Sequence, residues 1–244
     1  MFEGRVLAIT GAGVSAESGI PTFRGQGGYW RNLDPAKLAT PEAFARDPAL
    51  VWQWYRERRA TIRAAQPNPA HVAITRLALE VQHFLLVSQN VDNLHLRAEW
   101  NGRRMSPRNL VQIHGDIFVT RCSRCDARFR EDSNDAPDLP GCDACGSLMR
   151  PGVVWFGEQL NAQETQRVEE FLAAGPCDAV IVAGTTAMFG YILDWAARGA
   201  RSSGRLVEVN PEATSLSRFA NESIRTAAGL ALPELAAQIL GASS

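Results

Sequence analysis

Short apolar runs alternating with longer amphipathic stretches, and two Cys-x-x-Cys motifs set inside that alternation, predict an α/β protein. The expected architecture is a parallel sheet with helices on both faces, plus a small module held by a metal. Runs rich in Val, Ile and Leu at residues 5–10, 83–89, 109–114, 178–184 and 205–210 are short and continuous enough to be buried strands. Helical patterns fill the intervals at 41–65 (one or two pieces), 69–80, 162–174, 190–200 and 233–240, several opening on a proline at a first-turn position. In such folds the ligand crevice lies at the carboxyl ends of the strands.

The chain has 244 residues, 45% of them hydrophobic and 21% charged, enough for one large core with a smaller insert. A formal charge of -1 argues against a strongly electrostatic nucleic-acid or membrane partner. No run reaches the roughly 18 apolar residues of a membrane span, and no cationic segment with an apolar core precedes the first strand run. Together with cysteines arranged as a reduced metal site, this predicts a cytoplasmic protein.

Gly11, Ala12, Gly13, Ser15 and Ala16 belong to a G-x-G-x-x-A turn directly after the first strand run, a pattern that lets backbone amides approach a pyrophosphate. By itself the motif also describes an ordinary strand-to-helix turn. No convincing acidic ribose partner follows about 20 residues on, which weakens a generic dehydrogenase reading. Cys122, Cys125, Cys142 and Cys145 form two pairs separated by sixteen residues, the spacing of a four-thiolate zinc ribbon. Four protein ligands close the shell, so the ion is expected to be structural. Cys177 borders a strand run and reads as a small core residue.

Gln89, Asn90 and Asp92 follow the second run, at a strand end where an amide and a carboxylate suit a carboxamide and a ribose. They equally suit an Asx-rich turn. His114 ends the third run and is either a general base or a capping histidine.

In sequence these segments resemble the sirtuin family over nearly the whole chain. The carriers are the stretch from Gly11 through Phe23 and Arg24, then Gln89–Asp92, Ile113–Gly115, the cysteine pairs and Val153–Glu158. Gly184, Thr185, Thr186, Asn210, Pro211, Glu212 and Ala228 are similar to later cofactor-contacting positions of the family. The stretch Ala187-Met188-Phe189-Gly190 departs from a more Val/Pro-like pattern in many relatives.

The resemblance implies a Rossmann-like NAD-binding domain at 1–120 and 151–244, with a helical insert around 25–65, and a zinc-ribbon module at 121–150. It implies that NAD is the co-substrate and that nicotinamide leaves before the acyl-lysine oxygen attacks the ribose. His114 would be the base, Phe23 would shield the reactive face, and Arg24 would position ribose and phosphates. Val154, Trp155, Phe156 and Gly157 would pair main chain to main chain with an acyl-lysine peptide. The products would be lysine, nicotinamide and an O-acyl-ADP-ribose. Tyr55 and Arg58, at i and i+3, resemble the Tyr-x-x-Arg signature of the desuccinylase and demalonylase branch, and Ala39 matches its small pocket residue.

Three alternatives remain: a deacetylase or ADP-ribosyltransferase of the same family, a silent NAD or ADP-ribose binder, and a nucleic-acid-binding ribbon. The last is disfavoured by the ribbon's mixed charge, where Arg121, Arg124, Arg128 and Arg130 face Asp126, Glu131 and Asp143.

Overall fold

The computed structural model describes residues 2–22, 34–131, 138–201 and 204–241. Strand β1 (Phe2–Thr10) leads into a single-turn helix, α1 (Gly13–Ala16). Helices α2 (Pro35–Leu38), α3 (Pro41–Arg46) and α4 (Pro48–Ala64) follow. The 41–65 pattern is therefore two pieces. Asp47 separates them: it precedes a proline, which disfavours helical backbone, and its side chain caps α4 by accepting from Leu50 N–H at 2.9 Å. Helix α5 (Pro69–Glu80) spans the predicted residues, with Asn68 as its cap and Pro69 in the first turn.

Then come β2 (Val81–Ser88), the short helix α6 (Leu94–Arg97), β3 (Leu110–Gln112), β4 (Gly115–Cys122), β5 (Arg128–Arg130) and β6 (Met149–Val153). The remainder is α7 (Ala162–Ala173), β7 (Ala179–Ala183), α8 (Gly190–Ala200), β8 (Arg205–Val209), β9 (Glu222–Ile224) and α9 (Ala228–Ile239). Six strands form a parallel sheet in the order β3-β2-β1-β7-β8-β9. Alternate residues of β1 serve opposite faces, as the two-residue period requires. Val6 and Ala8 join a core with Ile74 and Leu77 of α5 and Leu232 and Leu235 of α9. Leu7 and Ile9 join one with Val168 of α7 and Ile192 and Trp195 of α8.

The sequence reading did not predict the strands β4, β5 and β6, and it differs from the structure at two further places. Proline predicts the start of the last helix at Pro233, yet α9 begins five residues earlier and contains it. Pro233 stands one turn and a half in, where it removes one helical bond while flanking Leu232 and Leu235 stay buried, so apolar packing outweighs that loss. Strand β9 is three residues with no apolar run, too short to announce itself.

Strands β5-β4-β6 make a separate antiparallel sheet. Helix α4 lies against it through a third core in which Trp52, Tyr55 and Ile62 meet Ile117, Phe118, Val153 and Trp155. A buried cation pins the two together. Arg59 is 2% exposed and donates to Ile117 O (2.6 Å), Val119 O (3.2 Å) and Thr120 Oγ1 (3.1 Å). Burial lowers its pKa to about 10, so it remains charged at neutral pH. Among the described residues, no helix is long and apolar enough to cross a membrane.

Replacing Arg59 by Met strips donors from three inward-facing oxygens, and is expected to lower unfolding stability by roughly 3 kcal/mol. A urea midpoint indistinguishable from the parent's would show that the apolar face of α4 alone holds it to the small sheet.

Candidate active site

Beyond the strand ends the chain keeps the hydrogen-bond ladder going, which draws the following turns into one crevice. Gly11 N–H donates to Ala183 O (3.0 Å), Gln89 N–H to Thr10 O (2.9 Å), Ile113 N–H to Ser88 O (3.0 Å) and Gly184 N–H to Val209 O (2.9 Å). Gly13 N–H reaches Gly184 O at 2.8 Å, and a Cβ on Gly13 would sit 2.8 Å from Gly184 Cα. Gly184 has φ of +60°, where a side chain is disfavoured, and a Cβ there would come within 2.4 Å of Val14 N. The glycine pattern is thus needed for the first and fourth turns to touch. Helix α1 is only one turn long, so the dipole expected behind the glycine turn is slight, and any anion there would be met by individual amides.

Behind this turn lies a buried polar network. Ser15 Oγ donates to Asp92 Oδ2 at 2.7 Å, while Leu94 N–H donates to Asp92 Oδ1 at 3.0 Å. Asn90 Nδ2 donates to Ser15 Oγ (3.0 Å) and to Gly11 O (3.1 Å). His71 Nδ1 accepts from Asn68 N–H (3.2 Å), so in the neutral ring the hydrogen sits on Nε2, which faces Ser15 Oγ at 3.4 Å. His95 lies beside it, ring centroids 4.7 Å apart, with Nε2 at 3.1 Å from Thr10 Oγ1. Burial raises the Asp92 pKa, opposed by the Ser15 and Leu94 bonds and by the charge of Arg58. Burial also lowers His71 to about 4, with Arg97 adding to the shift, and pushes His95 well below the usual range.

His114 follows β3, and its Nδ1 lies 2.9 Å from Gln89 O. A carbonyl only accepts, so Nδ1 carries the hydrogen and Nε2 keeps the lone pair. That lone pair meets Tyr191 Oη at 2.7 Å. Burial lowers the imidazole's pKa, the Gln89 carbonyl opposing, so the ring is neutral at neutral pH. Thr185 Oγ1 donates to Gln89 Oε1 at 3.3 Å, Thr186 is exposed, and Ala187, where the sequence departs from the family pattern, has φ of +50°. Asn210 donates from Nδ2 to Glu212 O (2.9 Å), with Pro211 and Glu212 exposed at the mouth. Ala228 is buried at the start of α9, whose Gly229 N–H donates to Glu17 at 2.7 Å. Phe23 and Arg24 lie outside the described residues.

The expected substrate residues gather in the third core. Tyr55 and Ala39 are buried beside Trp155, and Trp155 Nε1 donates to Tyr55 Oη at 2.9 Å. Arg58 lies with its guanidinium 4.8 Å from the Trp54 ring and 5.9 Å from the Tyr55 ring; burial lowers its pKa, and Tyr55 and Asp92 oppose that. Residues 154–157 are less open than an extended strand. Val154 N–H donates to His114 O, Trp155 N–H to the Glu158 carboxylate and Phe156 N–H to Ala39 O, while Gly157 turns with φ of +86°. Trp155 points inward and Phe156, 42% exposed, points out.

In the small sheet the Sγ atoms of Cys122, Cys125, Cys142 and Cys145 all lie within 4.8 Å of one another. Arg124 and Cys125 N–H groups point at Cys122 Sγ (3.3 and 3.4 Å), and these bonds lower its pKa toward the thiolate. Among the described residues, the module's own buried cluster is Cys122, Cys142 and Met149, with Cys125 and Ala127 packed against it, a small apolar surface. The donor set fits one tetrahedral, closed-shell zinc ion.

Sequence reasoning did not single out Asn68, His71, His95 or Tyr191. The first two are signalled faintly, since Asn-Pro opens α5 and His71 falls three residues on, where a capping side chain belongs. Tyr191 carries no local signal.

An α/β nucleotide-binding fold interrupted by a metal ribbon is the class this architecture defines. Within that class the particular family is plain: the Sir2 family model matches residues 11–189, and the chain belongs to that family, the sirtuins. It is 42% identical to NAD-dependent protein deacylase 1 of Archaeoglobus fulgidus, covering 98% of this chain and 94% of the relative. It is 45% identical to the NAD-dependent protein deacylase of Thermus thermophilus, covering 93% and 88%. Among solved structures, a Sir2 homolog–NAD complex aligns with a TM-score of 0.87 and 42% identity, covering 99% of this chain and 92% of that one.

Chelating the metal, or replacing Cys142 by Ser, is expected to unfold the small sheet first and lower activity only as a consequence, because four thiolates leave no open position. Metal analysis that finds no zinc, or a Cys142→Ser protein lacking zinc yet intact by circular dichroism, would contradict it.

The buried histidines give stability a pH signature. An unfolded histidine binds its proton near 6.5 and His71 near 4, so on acidification the unfolded state is protonated first. Stability is full above the unfolded value and is lost as pH falls through the window from 6.5 to 4. At about 1.4 kcal/mol per unit, His71 alone costs roughly 3 kcal/mol. Urea unfolding followed across this window is expected to show the fall, and His71→Gln to flatten it; an equally steep fall in the variant would remove His71 as its source.

Proposed function

We propose that this chain is an NAD-dependent protein lysine deacylase whose base is His114 and whose preferred acyl groups carry a carboxylate, succinyl or malonyl before acetyl. The observation that carries the reading is the Nε2 lone pair of a neutral imidazole, held in the crevice by the Gln89 carbonyl behind it. Its relatives are named NAD-dependent protein deacylases, and a further family structure, 26% identical with a TM-score of 0.78, holds a deacetylated peptide and 3'-O-acetyl-ADP-ribose. Bound NAD supplies a ribose carbon that becomes electrophilic as nicotinamide departs.

The chain's own residues do the rest. Gly11, Ala12, Gly13, Ser15 and Ala16 line the phosphate side, with Gly184, Thr185, Thr186, Asn210, Pro211, Glu212 and Ala228 along the opposite rim. Asn90 and Asp92, held by the Ser15 network, orient the carboxamide and face the developing positive charge. His114 draws a proton from a ribose hydroxyl, general-base help worth about two to four decades. Phe23 and Arg24 belong to this site through the family resemblance. Residues 154–157 receive the peptide, and its selectivity is loose because main chain meets main chain. The cysteine-bearing segment 121–150 acts as the zinc-ribbon domain beside the NAD-binding domain (1–120 and 151–244), although the small sheet that carries it begins at Gly115 and ends at Val153.

Acyl choice rests on Ala39, Tyr55 and Arg58. Tyr55 Oη accepts from Trp155, so its own hydrogen stays available as a donor, and burial raises its pKa to about 12 so it stays protonated. Arg58 offers a parallel pair of N–H donors that a carboxylate matches. The test is kcat/KM for acetyl, malonyl and succinyl forms of one peptide with NAD, for the parent, Arg58→Met and His114→Ala. Arg58→Met is expected to lower succinyl and malonyl turnover about a hundredfold and acetyl turnover far less. His114→Ala is expected to remove all three. A parent that strongly prefers acetyl-lysine would make this a deacetylase that keeps the Tyr-x-x-Arg pair, and equal losses across the three would make Arg58 a structural residue.

A further inference from the structure

The atom that must receive the proton is already engaged. His114 Nε2, the lone-pair nitrogen, lies 2.7 Å from Tyr191 Oη, and a lone pair there can only accept, so the phenol is the donor. A proton acceptor capped by a phenol either waits for the phenol to swing away or takes its proton through it.

Packing decides between these. Tyr191 sits in the first turn of α8 with its ring stacked on Phe189 (centroids 5.4 Å apart, planes 13° apart) and tilted against Trp195 at 5.1 Å. Trp195 is 2% exposed and is itself tied by Nε1 to Glu169 at 2.9 Å. Phe189 closes the group by standing edge-on to the His114 ring at 5.7 Å. A ring held on two sides by aromatic neighbours, one of them anchored, is a fixed part of the crevice. Burial raises the phenol's pKa, so it stays protonated and remains a donor wherever the enzyme works.

We propose that Tyr191 carries the proton to His114: the substrate hydroxyl donates to Tyr191 Oη as the phenol donates to Nε2. This rests on the reading of His114 as base. One O–H bond breaks at the substrate hydroxyl and one forms at Oη; the original phenol O–H breaks and an Nε2–H bond forms. The phenol ends neutral, the imidazole gains the proton and its positive charge, and the substrate oxygen keeps the electron pair. No further reactant is needed. Because the phenol's hydrogen bond favours the neutral imidazole, Tyr191 also holds the base ready at lower pH than a histidine in water.

Among the described residues, few other groups intrude on that titration. The Gln89 carbonyl faces Nδ1. The carboxylates on the helices around Tyr191, Asp194 of α8 and Glu169 of α7, both pair with Arg198, and Asp116 of β4 pairs with Arg130.

The test is Tyr191→Phe, which keeps the ring and its stacking. With NAD and the best acyl-lysine peptide, kcat is expected to fall about ten- to a hundredfold with KM for both substrates within about threefold. The acid limb of the rate profile is expected to move to higher pH by roughly half a unit or more. In the protein without NAD or peptide, the His114 ring titration followed by NMR is expected to move the same way while Nδ1 keeps its hydrogen. A thermal melt at the parent's temperature checks the fold.

A kcat equal to or above the parent's would overturn the relay and make Tyr191 a cap the base works without. An unmoved His114 titration would overturn it as well. A parent that turns over no acyl-lysine peptide would sink the deacylase reading and the relay with it, whereas the NMR titration reports the Tyr191–His114 bond whether or not there is turnover.

Discussion

Asp92 is a carboxylate withdrawn from water at the mouth of the sheet, 4% exposed, and the surrounding crevice is arranged to meet the cost of that burial. An ion left unpaired there would cost several kcal/mol, so it is met by Ser15 Oγ, by Leu94 N–H and by the nearby charge of Arg58. Ser15 can give its one hydrogen to Asp92 because its lone pairs accept hydrogens from Asn90 and His71, and His71 can donate one. His71 supplies one only as the Nε2–H tautomer, which the Asn68 N–H imposes by occupying Nδ1. A single buried charge thereby locks the turn after β1, the turn after β2 and the start of α5 into one geometry. Removing any member leaves an unsatisfied polar group in a dry place, so the network holds or fails as a unit.

That rigid floor matters because the rest of the crevice is assembled from parts that do not share its core. His114 stands where the large sheet ends and the small one begins, and its carbonyl accepts from Val154 N–H while Phe156 N–H reaches Ala39 O. Two backbone bonds thus join His114, the chain leaving β6 and the helical insert. Arg59 adds a third tie by spending its donors on β4. The small sheet that carries the four cysteines meets the crevice through these bonds, through Trp52 Nε1 donating to Met149 O at 2.9 Å, and through the packing of α4 on Phe118, Val153 and Trp155.

How much of this could be read from the sequence depended on whether the information was local. Buried strands of the large sheet and helices were legible: α5 spans the residues that pattern and its opening proline predict, and α8 those that pattern alone predicts. So were the cysteine pairs, since a ligand spacing is a statement about a few bonds. Asn90, Asp92 and His114 were legible as residues at strand ends, but their partners were not. Ser15 and Asp92 are 77 positions apart, and His114 and Tyr191 are also 77 apart, so nothing near either residue announces the bond. At residues 154–157 the apolar run was legible and its turn was not. An apolar run reads as an open strand, yet Glu158 and Arg150 turn it, with Trp155 drawn inward under the Arg150 guanidinium at 3.4 Å from its ring. Pro233 shows the converse, a strong local signal overruled by a helix whose apolar face continues on both sides of it.

Arg58 connects the third core around Tyr55, where the acyl group is proposed to sit, to the buried network, and its position bears on both. Burial makes its charge costly, and two groups oppose that cost, the Tyr55 hydroxyl side and the Asp92 carboxylate. Asp92 in turn has its oxygens taken up by Ser15 and Leu94, so its attraction to Arg58 acts through space more than through donated hydrogens. On the proposed reading, a succinyl or malonyl carboxylate reaching Arg58 adds a second anion to the field of the same guanidinium. Sharing one cation between two anions then weakens its hold on Asp92 and raises the Asp92 pKa further. Linkage makes that reciprocal: whatever draws a proton onto Asp92 strengthens the grip of Arg58 on an acidic acyl group. Acetyl-lysine brings no charge and leaves this coupling untouched. On that reading the two ends of the crevice, acyl recognition and the polar floor beneath the cofactor site, are joined by one guanidinium.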